Sequence, residues 1–411
     1  MNLSILLGSG ASIPAGYPCV TQITEEILSG TLGSTGGATV ASGGSTEEVV
    51  AFLRWLQTVA DARYCRGIKR TTNYEDIYFL ASQIRDDLLD EFDNPAVRPL
   101  VGKVIVEFLF EQNGWLPQLK NLLERLLVET GHPGQDCLPD FENPVKRLAE
   151  NATNHIRGRV EALLKMPPKP QDHLDFVAEA IQAVGVAEKT LMTVNHDVLL
   201  ETCLSARNIS FTDGFSHKAN RVGVREWDPA LFCAPNTLSP LLKLHGGVDW
   251  HRFRPDGADP WVEDYVGIPT CEFSSSQKDE KGRRHSKLDD DLPMFLIGTF
   301  NKLSSYTDPV YLELYHHAFR ALAQTDALLV VGYGFGDKGI NKLVTDWIYR
   351  SPVHRLVVVD KCPDALWQRA RPSILGKRHD LIATKQLVCL PCDLQKQKLA
   401  WREVASAFNS G

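Results

Sequence analysis

The pattern of apolar and polar positions along the chain predicts an α/β fold. A short, largely apolar run at residues 3–7 ends at Gly8, as expected of a buried central strand. Further apolar runs of strand length occur at residues 190–194, 241–244, 295–297, 327–331 and 356–359. Helix-like stretches begin near Val198, precede Ala327 and cover 338–349. Strands that alternate with helices predict a Rossmann-like, mostly parallel sheet.

A long helical segment interrupts this rhythm. From about residue 46 to 185 the apolar spacing is helical, and prolines divide it into several stretches. These stretches are 74–92, 100–112, 116–129, 142–164 and 172–184. We predict one domain over 1–411, with its core at about 1–30 and 188–400. The helical insertion at 46–185 is expected to serve as an oligomer or partner surface.

Two segments have compositions typical of loops. Residues 29–46 are almost entirely Gly, Ser, Thr and Ala, which favours a flexible linker. Residues 251–291 are polar and contain the basic run 281–285, which we interpret as part of a mobile surface loop. Contact of that loop with nucleic acid is left open.

Composition narrows the class of protein. The apolar fraction of 43% and the charged fraction of 23% are ordinary for a globular protein, and the net charge of −7 argues against broad nucleic-acid binding. No apolar run approaches the ~20 residues that span a bilayer, so we expect a cytoplasmic protein without membrane contact. Cys389 and Cys392 form the one C-x-x-C pair, which is half of a zinc site at best. A buried strand-to-loop pair is favoured there.

Residues suited to chemistry follow the predicted strands. In an open parallel sheet, ligands bind beyond the carboxyl ends of the strands. Four segments of unusual composition fall at these positions: 8–18, 195–197, 245–246 and 332–337. Their coincidence at one edge predicts a nucleotide site.

Two of these segments are rich in glycine. Glycines after a buried strand allow the backbone to approach a phosphate, and backbone N–H groups can donate to the anion. A tight strand-to-helix turn explains the first segment equally well. Candidate ligand-binding residues in the two segments are Gly8, Ser9, Gly10, Ala11, Ser12, Gly332, Tyr333 and Gly334.

The other two segments carry the candidate catalytic side chains. Asn195 can orient a polar ligand group or a water, while Asp197 can hold a ribose hydroxyl or cap the loop. His245, at a strand end beside Gly246, is a candidate for proton transfer because an ordinary imidazole titrates near neutrality. His196 competes for that role and ranks lower, because we expect it to point away from Asn195 or to begin the helix.

These motifs resemble those of the sirtuin-like family. The segment Gly8–Ser12 is similar to the sirtuin G-A-G-x-S loop, Thr193–Asp197 to its T-Q-N-x-D motif, and His245-Gly246 to its H-G motif. The segments 13–18 and 331–337 resemble the I-P-x-G-x-P and G-Y-G-F/L-x-D motifs of the bacterial, NAD-consuming defence branch. The resemblance covers about 1–30 and 188–362. It implies a sirtuin-like fold that binds NAD, with Asp360 among the cofactor-binding residues.

The sequence departs from the deacylase sirtuins in two places. They carry two C-x-x-C pairs after the His–Gly motif, whereas this stretch contains Cys271 alone, and the Asp and Arg of their G-I-P-D-F-R segment are missing. We therefore expect no zinc. The resemblance then favours an NAD hydrolase that releases nicotinamide and ADP-ribose, with Asn195 and His245 as catalytic residues. A protein deacylase or ADP-ribosyltransferase, and a non-catalytic NAD or ADP-ribose sensor, are the alternatives.

The same resemblance implies restraint and partners. Uncontrolled NAD hydrolysis kills a cell, so members of the defence branch are expected to act in antiphage defence only when triggered. They commonly form oligomers and work with a HerA-type hexameric ATPase or a short Argonaute. A homo-oligomer or such a partner is expected here.

Overall fold

The computed structural model describes ten stretches of the chain and two single residues besides. These are residues 1–30, 46–64, 72–87, 139–169, 172–233, 238–259, 263–288, 291–298, 308–371, 374, 376 and 378–409. The chain divides into two compact units. The first comprises Met1–Cys19, Leu163–Leu296 and Lys302–Gly411, and the second comprises Val20–Ala162 and Ile297–Asn301.

The first unit contains a seven-stranded sheet whose neighbouring strands are all parallel. Its strands are β1 (Leu3–Leu7), β2 (Lys189–Thr193), β3 (Phe211–Thr212), β5 (Ser239–Lys243), β9 (Ala327–Val331), β10 (Arg355–Asp360) and β11 (Leu387–Pro391). Their order across the sheet is β11-β10-β9-β1-β2-β5-β3. The predicted Rossmann-like, parallel α/β fold is confirmed.

The central strands are apolar on both faces because both faces are covered. All five residues of β1 and all five of β9 are buried, Ser4 included. These two strands pair in register from Leu3 opposite Ala327 to Leu7 opposite Val331. Burial on both sides explains why they appear in the sequence as near-continuous apolar runs rather than as alternating ones.

Helices follow the strands in the first unit and dominate the second. In the described part of the second unit, the helices are α1 (Val20–Ser29), α2 (Thr46–Tyr64), α3 (Tyr74–Asp87) and most of α4 (Pro139–Leu164). Those of the first unit are α5 (Asp175–Gln182), α6 (Leu199–Ala206), α7 (Pro309–Gln324), α8 (Lys338–Arg350), α9 (Pro363–Arg369), α10 (Arg378–Ala383) and α11 (Trp401–Asn409). The stretches predicted at 100–112 and 116–129, and most of the linker at 29–46, lie outside the described residues.

The strand predicted at residues 295–297 is wrong. Phe295 forms an isolated antiparallel bridge with Gly246, and the backbone N–H of Leu296 donates to the carbonyl of His245 at 2.9 Å. Gly246 has a left-handed backbone, with φ of +76°. Phe295 and Leu296 therefore pair with the turn that follows β5, and they form no strand of the sheet.

The prediction of a mobile loop over 251–291 is also wrong. This segment supplies β6 (His251–Pro255), β7 (Tyr265–Pro269) and β8 (His285–Lys287), which join β4 (Val224–Glu226) in an antiparallel sheet of order β4-β7-β6-β8. One side of β6 is buried and the other is partly exposed, so its polar positions alternate with buried ones. That alternation is typical of an antiparallel sheet with one covered face.

Acidic neighbours balance the basic run in this small sheet. The Arg283 guanidinium pairs with Asp279 at 3.2 Å and also with Glu263, and Arg284 lies 3.8 Å from Asp256. Much of the positive charge predicted for a loop is therefore neutralised within the sheet itself.

Two further sequence expectations concern the cysteines and the membrane. Cys389 lies in β11 and Cys392 follows the strand directly, which confirms the strand-to-loop placement, but only Cys392 is buried and Cys389 is partly exposed. In the part of the chain that the structure describes, no helix is long and apolar enough to cross a bilayer.

Candidate functional site

The candidate site lies where the direction of the sheet's connections changes. From β1 the chain continues through β2 and β5 on one side, and it later returns to β9 on the other side of β1. Such a switch point opens a crevice at the carboxyl ends of the strands. The four chemically distinctive segments of the sequence follow β1, β2, β5 and β9, so all four lie at this edge.

The two glycine-rich segments contact one another at the crevice. A Cβ added to Gly8 would lie 2.5 Å from the Cα of Tyr333, and one added to Gly332 would lie 2.3 Å from the nitrogen of Ala11. The N–H of Gly10 donates to the carbonyl of Gly332 at 2.9 Å. Glycine is therefore required here for the close approach of two backbone segments.

Most backbone N–H groups of the first loop already have hydrogen-bond partners within the protein. The N–H groups of Gly8, Gly10, Ala11 and Ser12 all donate to backbone carbonyls at 2.9–3.0 Å. The second loop offers more space, because a Cβ at Gly334 or Gly336 would meet nothing within 4 Å.

Asn195 is held by both the first loop and its own strand. Its Nδ2 donates to the carbonyl of Gly8 at 3.0 Å and to the Oγ of Ser12 at 2.9 Å, while its N–H donates to Thr193 Oγ1 at 3.0 Å. A carbonyl can only accept, so these contacts fix which end of the amide is the nitrogen. Oδ1 is then left buried without a hydrogen-bond partner among the described residues.

Asp197 holds the first loop and caps the start of α6. Its Oδ2 accepts from Ser12 Oγ at 2.8 Å, and its Oδ1 accepts from the N–H of Leu199 at the start of α6 at 3.0 Å. Burial raises the pKa of this carboxyl, and the Lys243 ammonium and these hydrogen bonds oppose the rise. Asp197 thus fixes the position of the Ser12 hydroxyl, and this hydroxyl in turn fixes the orientation of the Asn195 amide.

His245 has an acidic neighbour that the sequence did not reveal. Its Nε2 lies 3.3 Å from Asp337 Oδ2, and the two side chains are only 3% and 10% exposed. Asp337 also caps α8, because its Oδ1 accepts from the N–H of Ile340 at 2.9 Å. The carboxylate is therefore fixed in place by the helix that it begins.

The segment that carries Asp337 has a constrained backbone. Phe335 adopts a φ of +49°, which is strained for a residue with a side chain, and it is fully buried against the ring of Trp367. Asn341 of α8, itself fully buried, accepts from Tyr333 Oη at 3.0 Å and donates to the Phe335 carbonyl at 2.8 Å. Packing and hydrogen bonds thus hold the segment in this conformation.

A buried ion pair lies beneath the turn that carries Asn195. The ammonium of Lys243, on β5, donates to the backbone carbonyl of Asp197 and to Glu201 Oε1, both at 2.6 Å. Burial alone would lower the pKa of Lys243, but the carboxylates of Glu201 and Asp249 outweigh it and raise that pKa. Burial raises the pKa of Glu201 to about 7, with Lys243 opposing the rise.

The remaining candidates lie at the same edge in less central positions. His196 is buried with its ring centroid 4.8 Å from that of Phe295 and 6.2 Å from that of His245. Asp360 ends β10, next to β9, and its Oδ1 accepts from the N–H of Cys362 at 2.8 Å. Ser9 is exposed beside the buried residues of its loop.

Sequence reasoning missed Asp337 as the neighbour of His245, and it missed the buried Lys243–Glu201 ion pair that lies outside the site itself. Asp337 belongs to the motif at residues 331–337, and its position directly before a predicted helix indicates a helix cap. Lys243 was visible as a lone charge inside an apolar strand, which is unusual unless the charge is paired. Among the described residues, no group of three or more His, Cys, Asp or Glu side chains could hold a metal ion.

A comparison with protein families finds a match over part of the chain. Residues 189–382, slightly less than half of the chain, match the family described as "SIR2-like domain". The match begins at β2 and includes Asn195, His245 and Asp337. It supports an NAD-related, sirtuin-type function.

The other comparisons add little. The chain is similar to a solved structure of a Sir2 variant with a deacetylated p53 peptide and 3′-O-acetyl-ADP-ribose. The identity is 9% and the TM-score 0.34, over 100% of this chain and 93% of that one, which is too weak a similarity to carry an argument. No curated protein sequence matches the chain.

Proposed function

We propose that this protein is an NAD glycohydrolase that cleaves the bond between nicotinamide and ribose, giving nicotinamide and ADP-ribose. The observation that carries the proposal is the combination of two groups at one sheet edge. One is the Asn195 amide, whose buried Oδ1 lacks a partner among the described residues, and the other is the His245–Asp337 pair at 3.3 Å.

The residues present fit NAD as the substrate. The unpartnered Oδ1 of Asn195 can accept a hydrogen bond from a hydroxyl or a water, and leaving such a buried acceptor unused costs about 1–3 kcal/mol. Gly334 and Gly336 follow β9 at the switch point, where dinucleotides bind in doubly wound sheets, and a Cβ at either position would meet nothing within 4 Å.

Each side chain has a definable part in hydrolysis. Breaking the C1′–N bond develops positive charge on the ribose, and nicotinamide leaves with the bonding electron pair. A water adds its oxygen to C1′, and Asn195 Oδ1 would accept a hydrogen bond from that water or from a ribose hydroxyl. His245 would take the proton that the water loses.

Asp337 would control the proton transfer. A carboxylate beside Nε2 favours the imidazole tautomer whose hydrogen is on Nε2. The lone pair on Nδ1 can then receive the proton that the water loses. Once His245 is protonated, the Asp337 carboxylate stabilises the imidazolium. The pair therefore supplies both the orientation and the charge balance that a general base requires.

The cellular role that we propose is NAD depletion in bacterial antiphage defence. This step rests on the resemblance of the segments 13–18 and 331–337 to the NAD-consuming defence branch. Restraint by self-assembly, or by a HerA-type ATPase or short Argonaute partner, belongs to the same proposal. The surface of the second unit is its proposed location.

Product analysis tests the chemistry. Purified protein, alone and with candidate partners, is incubated with NAD in the presence and absence of an acetylated peptide, and products are resolved by mass. We expect nicotinamide and ADP-ribose without the peptide. Products that require the peptide would indicate a deacylase or transferase instead, and calorimetric binding of NAD without turnover in any assembly would indicate a sensor.

A further inference from the structure

The buried ammonium of Lys243 has an unusual pair of partners. Lys243 is 1% exposed, and its Nζ donates at 2.6 Å both to the side chain of Glu201 and to the backbone carbonyl of Asp197. An ion pair alone would require only the first contact. The second fixes the backbone of the turn between β2 and α6, two residues beyond Asn195.

This contact completes a chain of hydrogen bonds that ends at the Asn195 amide. Lys243 holds the Asp197 backbone, the Asp197 carboxylate holds Ser12 Oγ at 2.8 Å, and Ser12 Oγ accepts from Asn195 Nδ2 at 2.9 Å. Every link is buried. A shift of the Asp197 backbone would therefore be transmitted to the amide.

We propose that Lys243 is a positioning residue for the reaction at Asn195, acting through the carbonyl of Asp197. The inference rests on the proposed NAD cleavage. Lys243 does not need to touch the substrate, because it lies beneath the turn, as the last residue of β5. Glu201 and Asp249 balance its charge, so that the ammonium can remain in a buried position.

The alternative is that Lys243 serves only as a counter-charge in the core. The two roles separate when the charge is removed together with its partner. A buried ion pair can often be replaced by apolar residues of similar volume without loss of stability. The paired substitution Lys243→Met with Glu201→Leu removes both charges and also the bond to the Asp197 carbonyl. Glu201→Gln is the matched control, since Lys243 keeps that bond and the glutamine oxygen can still accept from it.

Nicotinamide release, thermal unfolding and amide hydrogen exchange are measured on the three proteins. We expect the paired variant to unfold within about 5 °C of wild type. Its kcat should fall roughly 10–100-fold, as expected for a misplaced reacting group, with KM changed less than about threefold. Amides of residues 194–199 should exchange roughly tenfold faster. The control should match wild type in kcat and exchange.

Wild-type kcat and wild-type exchange in the folded paired variant would overturn the positioning role. If the variant with the apolar pair does not fold, the double variant Lys243→Gln with Glu201→Gln replaces it. The two amide side chains can hydrogen-bond to each other. A glutamine in place of the lysine would be too short to donate to the Asp197 carbonyl. Absence of nicotinamide release from wild type would instead overturn the proposed function. The exchange comparison would still decide whether Lys243 holds the turn.

Discussion

Replacing Asp337 by asparagine separates the two roles of its carboxylate. Asparagine caps helices about as well as aspartate, so the hydrogen bond to the Ile340 N–H should persist and α8 should begin at the same residue. The charge beside His245 Nε2 is lost. The substitution therefore tests the electrostatic contribution of Asp337 while leaving the fold in place.

The size of the effect follows from the geometry. Two unit charges 3.3 Å apart attract by about 5 kcal/mol at an effective dielectric constant of ~20. Desolvation offsets part of this attraction, because the two side chains are only 3% and 10% exposed. The net stabilisation of the His245 imidazolium by Asp337 is then roughly 3 kcal/mol. Because ~1.4 kcal/mol corresponds to a tenfold change in rate, kcat should fall about a hundredfold.

The assay measures nicotinamide release by chromatography at saturating NAD, with the unfolding midpoint measured in parallel. Asp346→Asn is the matched control, because Asp346 is an exposed acid on the same helix whose partner is Lys342. A midpoint within about 2 °C of wild type is expected for both variants. An Asp337→Asn protein with wild-type kcat would refute the assignment of Asp337 as the partner of the base.

Three further predictions concern the support of the site. Ser12→Ala removes the hydroxyl that links Asn195 to Asp197. The free energy of unfolding, measured by urea titration, should fall by about 1–3 kcal/mol, and kcat should also fall. An unchanged free energy of unfolding and an unchanged kcat would contradict this hydrogen-bond network. Gly246→Ala should destabilise the protein by more than ~2 kcal/mol. The φ of Gly246 is +76°, and a Cβ there would lie 2.4 Å from the Met294 carbonyl oxygen. A melting curve identical to that of wild type would disprove this steric constraint. Burial lowers the pKa of His173, whose Nε2 lies 2.9 Å from the Ala11 carbonyl. The neutral imidazole therefore stabilises the fold fully at pH values above the unfolded-state pKa of ~6.5. This stabilisation is lost as the pH falls through the lower pKa of the folded state. Melting from pH 8 to 5 should then show a smaller acid-induced loss in His173→Gln than in wild type, and equal losses would rule this out.

The strands and their terminal loops could be predicted because the signal is local. β9 coincides with its predicted bounds, and β2, β5 and β10 differ from theirs by a residue or two. In each case the buried residues of a parallel strand form a largely apolar run that glycine or a polar residue ends, although only β9 is buried along its whole length. The ordering of Asn195 and His245 at one edge then follows from the rule for open parallel sheets.

The errors arose where tertiary context decides. Phe295 and Leu296 pair with the turn at His245 and Gly246, and no local pattern distinguishes an apolar run of this kind from a strand. The antiparallel sheet around β6 was not predicted because many of its positions are partly or fully exposed and polar, so its average composition is that of a loop.

The contact between His245 and Asp337 could not be predicted for a different reason. Their segments follow β5 and β9, which are three strand spacings or about 14 Å apart in the sheet. Only the path of the 332–337 segment across the edge, fixed by the left-handed Phe335 and the buried Asn341, brings the carboxylate to the imidazole. Sequence spacing does not encode that path.

Nicotinamide release from NAD, measured for wild type, Asn195→Ala, His245→Ala and the exposed-histidine control His217→Ala, tests the central claim most directly. It is run on the protein alone and with candidate partners. We predict release without any peptide acceptor by wild type and His217→Ala, and at least a roughly hundredfold loss in the other two variants. Equal release by all four proteins, or none by wild type in every assembly, would contradict hydrolysis at this site.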